Sequence, residues 1–190
     1  MADERGIITG HFIAHWGVPA EIRPRSVAGI GELAILEFSP RGGRATWRYA
    51  TNGMSKCAQP GSPANVDVRT EVYACTSERI EWIDALLAAI VSYPWDHATY
   101  LAEGDTINVG QPIDRRESCY TGILLAPPGP ADPPTVGLIG GLRDDVLVHQ
   151  VIGVLPDEIV HAMRHGGKEL WMRLLRRGEP VLDCPRGEAA

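Results

Sequence analysis

Lysine, phenylalanine and cysteine are scarce in this chain of 190 residues. Lysine stands only at Lys56 and Lys168, so arginine carries nearly all the positive charge. The balance is still acidic, with a net charge of −6 and a pI near 5.5. That argues against a nucleic-acid surface, which needs a basic face. Long apolar runs are also missing: the longest, Ala85–Val91, falls far short of the ~20 residues of a membrane-spanning helix. The opening Met1-Ala2-Asp3-Glu4-Arg5 is charged and lacks the apolar core of a secretory leader, so a cytoplasmic protein is expected. Cys57, Cys75, Cys119 and Cys184 lie far apart with no C-x-x-C pair. In a reducing compartment they are predicted to be buried thiols, not disulfides or zinc ligands.

What remains is an ordinary globular composition, 44% apolar and 22% charged, sized for one domain over residues 1–190. Ile7, Ile8, Phe12, Ile13 and Trp16 fall at helical spacing before Gly17 and Pro19. Glu32–Phe38 reads as a strand, stopped by Pro40 and Gly42-Gly43, with Arg44–Thr51 as its hairpin partner. The β-formers Trp47, Tyr49 and Thr51 crowd into that partner before Asn52-Gly53 turns the chain. Met54–Asn65 is predicted as loop, and Val66–Ala74 as a strand with one buried and one wetter face. A helix is expected from Ser77, with Ile80, Ile83, Leu87 and Ile90 as its stripe, Trp82 extending it and Pro94 ending it.

Further on, Glu103–Thr106 predicts a turn into a short strand at Ile107–Val109. Cys119–Ala126, Val136–Ile139 and Val146–Val154 read as strands, with Pro127–Pro134 as an exposed loop between the first two. Helices are predicted from Pro156 to Gly166-Gly167 and again around Leu170–Leu175, with a final edge strand at Pro180–Cys184. This order is no regular βαβ alternation. It predicts an α+β domain whose mixed, mostly antiparallel sheet is covered by helices.

Little of this carries chemistry. His161 and His165 stand at i, i+4 with Glu158 one turn earlier, but no H-E-x-x-H is formed; His11 and His15 repeat the spacing. Cys119 sits in an apolar run, where an inert thiol is the default. Gly137–Gly141 lacks the Lys-Ser/Thr of a phosphate loop, and Asp144-Asp145 reads as a solvated turn. No metal, cofactor or catalytic residue is predicted. Gly104-Asp105 admits two readings: an Asp capping its own turn, or a polar recognition point at a sheet end beside Tyr93.

From about Gly10 to Arg186 the order of motifs resembles the Suppressor-of-fused domain family. The marks are Gly17-Val18-Pro19, Ser39-Pro40, Trp47 with the Thr51-Asn52-Gly53-Met54-Ser55 corner, and Trp82. Gly104-Asp105-Thr106-Ile107, Pro112-Ile113-Asp114, Glu117-Ser118, Val148–Val154, Asp157-Glu158-Ile159, Gly167, Leu170 and Leu174 continue them. The resemblance implies a non-enzymatic protein-binding domain without a cofactor. Animal members are two-domain proteins that hold transcription factors by gripping a short peptide as an added strand. There the Asp of the Gly-Asp motif and a Tyr twelve residues earlier help form the grip, which carries over to Asp105 and Tyr93. The matched part is the N-terminal domain of those members. Single-domain bacterial members are regarded as immunity proteins of toxin systems, a role that an acidic chain facing a basic toxin would suit, or as proteins of unknown role. The partner implied is therefore a protein or peptide, a toxin among the options. A metal-dependent enzyme, collecting His161, His165 or His149, and a structural oligomer-forming domain stand as the alternatives.

Overall fold

A computed structural model of the chain describes residues 4–116, 118–129, 132, 145–177 and 182. Its elements in order are α1 (Glu4–Trp16), β1 (Glu21–Val27), β2 (Gly31–Phe38), β3 (Trp47–Asn52) and β4 (Arg69–Thr76). They continue with α2 (Ile83–His97), β5 (Thr106–Asn108), β6 (Gly122–Ala126), β7 (Val146–Val154), α3 (Pro156–His165) and α4 (Gly167–Leu175). The strands form one sheet in the order β1-β2-β3-β4-β7-β6-β5. Every neighbouring pair is antiparallel except β4 with β7. The fold is thus α+β, with the mixed and mostly antiparallel sheet that the element order predicts.

Helices cover both faces, and the period-2 alternation of the strands feeds both cores. On one face α2 lays Ile83, Leu87, Ile90 and Val91 over Leu33, Ile35, Val72, Ala74, Leu125 and Val151. On the other, Phe12 and Trp16 of α1 pack on Phe38, Ala50 and Tyr73. The same face carries α3 and α4 further along, with Ile159, Leu170 and Leu174 against Leu124, Ile152 and Val154.

Several expectations are corrected. The strand read at Val66–Ala74 begins at Arg69 and buries both faces, because α1 and α2 sandwich it. Glu71, read as wetter, is 0% exposed. The central helix starts at Ile83, not Ser77, because the preceding residues are tied to the sheet. There the Ile80 N–H donates to the Tyr49 hydroxyl at 3.1 Å, and Arg79 pairs with Glu37 at 2.8 Å. Pro94 lies inside the helix, which closes only where the N–H groups of Ala98 and Thr99 reach the Pro94 carbonyl. Met54–Lys56, read as loop, forms a single 3-10 turn. Cys57 and Cys119 are exposed, and only Cys75 of the described thiols is buried as expected, since the other two fall in connecting segments.

Strand β1 was not anticipated. It is an exposed edge strand containing Pro24, a residue confined to edges because it cannot donate to a ladder. Charge attaches it: Arg23 forks onto Asp84 of α2 at 2.8 and 2.7 Å and also pairs with Glu37. The expected strand at Val136–Ile139, the one at Pro180–Cys184 apart from Leu182, the glycines 137–141 and Asp144 lie outside the described residues, as do Glu117 and Cys184.

Candidate functional site

Among the described residues, strand β5 ends the sheet and pairs with β6 alone. Around it, Asp105 O accepts from Leu125 N at 2.9 Å and Thr121 O accepts from Val109 N at 2.9 Å. The two-residue period of an antiparallel ladder then turns the N–H and C=O of Thr106 and Asn108 away from β6. An open backbone edge of three residues results, about 10 Å long at roughly 3.3 Å per residue.

Beside that edge runs a cleft of about 270 Å³ between α2 and the loop after β5. Trp82, Leu86, Ala89 and Tyr93 form its helix wall at i, i+4, i+7 and i+11, and Ile107 and Ile113 face them. Ala85 and Ala89 are the small, exposed residues that leave the space open. The sequence reading missed this wall. Its signal was a second helical stripe with alanines at its centre, parallel to the core stripe.

Tyr93 is half-buried in the cleft, with its ring 4.2 Å from that of His97. Asp105 does not line the cleft. Its Oδ2 accepts the Ala102 N–H at 2.8 Å, so it caps its own turn, as the blander of the two readings expected. Alternation along the strand nevertheless puts Asp105 on the same sheet face as Ile107, the face that α2 covers. Gly104 stands at φ +92, and a Cβ on Gly167 would come within 1.9 Å of the Gly104 carbonyl oxygen. Both glycines are therefore demanded by the α3–α4 elbow pressing on this turn.

The corner at Thr51–Ser55 has a different task. Glu71 Oε1 accepts the Gly53 N–H at 2.9 Å, the Ser55 N–H at 3.0 Å and the Ser55 hydroxyl at 2.6 Å. Its Oε2 lies 2.6 Å from the Thr51 hydroxyl. Gly53 holds φ +126, with Leu33 backbone 3.2 Å from where a Cβ would sit. Met54 fills the α2-side core and Trp47 packs partly against it. The corner is architecture: it wraps a buried carboxylate in hydrogen bonds.

His149 of β7 is 4% exposed, and neither ring nitrogen has a hydrogen-bond partner among the described residues. Burial lowers its pKa below the ordinary 6.5, against a smaller upward pull from Glu103 and Asp105. The unfolded chain therefore binds a proton at a pH where the folded chain does not, and stability falls as pH drops below about 6.5. Chemical denaturation at pH 7.5 and 5.5 should show this acid loss reduced in His149→Leu. An identical pH slope in the two proteins would refute it.

His161 and His165 do share a face of α3, with rings 4.6 Å apart, and His161 contacts Glu169 of α4. That contact lowers the Glu169 pKa. Among the described residues no three His, Cys, Asp or Glu side chains converge as metal ligands. No helix among them is long and apolar enough to cross a membrane.

Residues 31–186 match the family model described as Suppressor of fused protein (SUFU). None of the curated proteins compared matches the chain. Among solved structures, a SUFU homolog from Neisseria gonorrhoeae superposes with TM-score 0.70 at 15% identity, over 100% of both chains. A chain of the Sufu–Fu complex gives 0.68 at 18% identity, over 93% of this chain and 84% of that one. Drosophila Suppressor of Fused gives 0.71 at 17% identity, over 93% of this chain but only 47% of its own length. At such identities the superpositions speak for the fold, while the family match rests on sequence over most of the chain. The chain belongs to the Suppressor of fused family, whose eukaryotic members are non-catalytic, protein-binding regulators.

Proposed function

We propose that this protein is a non-catalytic binding domain that grips an extended segment of a partner protein along the free edge of β5. The observation that carries the reading is the open Thr106–Asn108 backbone lying beside an apolar cleft. An added strand would exchange main-chain hydrogen bonds with Thr106 and Asn108, and an apolar side chain of the partner would enter the cleft. Tyr93 contributes an aromatic wall with a polar tip, a combination favoured at interfaces. The Asp105 carboxylate, whose Oδ1 accepts no hydrogen bond among the described residues, supplies a charged contact at the head of the strand. The partner class we favour is a basic toxin neutralised in the cytoplasm, since a net charge of −6 would attract it.

The test is affinity capture from the native host with wild type, Tyr93→Ala/Asp105→Asn and Ala89→Trp. Asparagine retains the oxygen that caps the turn, and tryptophan fills the cleft from its exposed helix wall. Both variants should lose a partner that wild type retains, with affinity at least about tenfold weaker. A partner held equally by all three proteins places recognition on another surface.

A further inference from the structure

A second cavity, of about 590 Å³, lies at the far end of the sheet from β5, between the C-terminus of α1 and the β2–β3 connection. It is polar and basic. Its walls are His15, Trp16 and Gly17 on one side and Arg41, Arg44 and Arg48 on the other.

The local chain geometry forces two of these cations together. Gly42 and Gly43 stand at φ +61 and +84, making a tight two-residue turn closed by the Arg44 N–H on the Arg41 carbonyl at 3.1 Å. Arg41 and Arg44 form a β-bridge across it, so their side chains leave from directly opposed positions. Opposed like charges destabilise a hairpin. Asp132 offsets the charge of Arg44 only at a distance, since neither guanidinium has a carboxylate within ion-pair distance among the described residues. The buried acid at the back, Asp132, is taken by Arg48 at 2.6 Å, the Trp16 indole N–H at 3.2 Å and the Tyr73 hydroxyl at 2.8 Å.

Arg44 is also held in place. Its Nη2 donates to the Ser39 carbonyl at 2.8 Å and its Nε to the Thr46 carbonyl at 3.3 Å, which leaves the remaining N–H donors for a ligand. Arg41 lies over the bare Cα of Gly17: a Cβ there would meet its guanidinium carbon at 2.5 Å. Burial, and then the charge of Arg48, already disfavour the protonated Arg44. A bound anion would oppose both effects with its own Coulomb attraction.

We propose that this pocket binds the phosphate group of a small organic phosphate, with Arg41 and Arg44 as its paired donors. Two adjacent guanidinium forks suit a tetrahedral dianion, whereas a single fork satisfies a carboxylate. The volume exceeds that of a bare phosphate and leaves room for an attached organic group. The site shares no residue with the β5 edge, so it stands or falls independently of the peptide-binding reading.

Calorimetric titration with adenosine diphosphate and with inorganic phosphate, at constant ionic strength, tests it. Saturable binding is expected, tighter for the diphosphate and at least tenfold weaker in Arg41→Ala/Arg44→Ala. Absent binding, equal binding by the variant, or equal affinity for the two ligands would each overturn the assignment. Arg41→Lys/Arg44→Lys covers the case of poor folding by the alanine variant. It keeps the charge but loses the fork, so several-fold weaker binding is expected, and unchanged binding refutes the paired-fork geometry.

Discussion

Glu71→Ala is expected to lower the melting temperature by about 6–20 °C. The side chain is fully buried in β4, and its two oxygens collect the Gly53 and Ser55 N–H groups and the Ser55 and Thr51 hydroxyls. Alanine removes every acceptor at once. The hydroxyls can rotate, and Thr51 also bonds the Val72 backbone, but the two N–H groups are fixed by the corner's conformation. Stranding fixed donors in a dry interior costs about 1–3 kcal/mol each, and bonds to a charged acceptor lie at the strong end. A total of about 3–5 kcal/mol at ~2–4 °C per kcal/mol gives the stated range for a chain of this length. Glu71→Gln should lose at least half as much, because its amide turns a donor towards other donors. Calorimetric melting of the three proteins decides the matter. A Glu71→Ala melting point within about 2 °C of wild type would show that water or neighbouring groups satisfy the corner without the carboxylate.

Asp132→Ala should be of similar size, about 3–5 kcal/mol, for a different reason: it leaves a buried cation behind. Arg48 and Asp132 are 3% and 1% exposed at their side chains and 2.6 Å apart. Without the carboxylate, Arg48 keeps a 2.8 Å contact to the Cys75 sulfur and its stacking over Trp16, 5.4 Å from the ring centre. Neither matches an anion in a low-dielectric site. The Trp16 indole and the Tyr73 hydroxyl would lose their acceptor as well. Burial, reinforced by Asp132, holds the Tyr73 pKa well above its ordinary value, so the phenol keeps the proton it donates to Asp132 while its oxygen accepts the Gly129 N–H at 3.2 Å. The double variant Asp132→Leu/Arg48→Met should recover most of the loss, because a buried ion pair and a packed apolar pair are nearly equal in free energy. Additive losses in that double-mutant cycle would mean that the two residues do not act as a pair.

These two carboxylates show where sequence reading stops. Glu71 sits in an alternating run in which polar residues ordinarily face water, and the pattern predicted as much. The pattern is blind to a second helix on the other face. Only the docking of α1 and α2 on opposite sides of β4 makes both sets of side chains buried. Asp132 lies between prolines in a stretch that reads as exposed loop, and burial comes from Trp16, Arg48 and Tyr73, all distant in the chain. The Thr51–Ser55 corner is legible as a motif in the sequence, but the motif does not contain its own reason. Its reason is Glu71, from the next strand.

The sequence by itself determined the elements whose signal is local. Strand β7, helices α3 and α4, the β2–β3 hairpin and the short β5 after the Gly-Asp turn all follow from apolar periodicity, capping and glycine placement. From those came the α+β class, while the family came from the order of motifs along the chain. Tertiary structure alone decided the rest. It recruited β1, a charged strand with a proline, through Arg23 and Asp84. It set the start of α2 by tying Arg79 and Ile80 to the sheet. It left β5 at an edge, put Tyr93 in a cleft and Asp105 at its turn, and opposed Arg41 to Arg44 across a glycine turn. The division has one physical cause. Periodicity reports which face of a segment is apolar, but the energy of a buried charge or an open edge depends on what other segments bring to it.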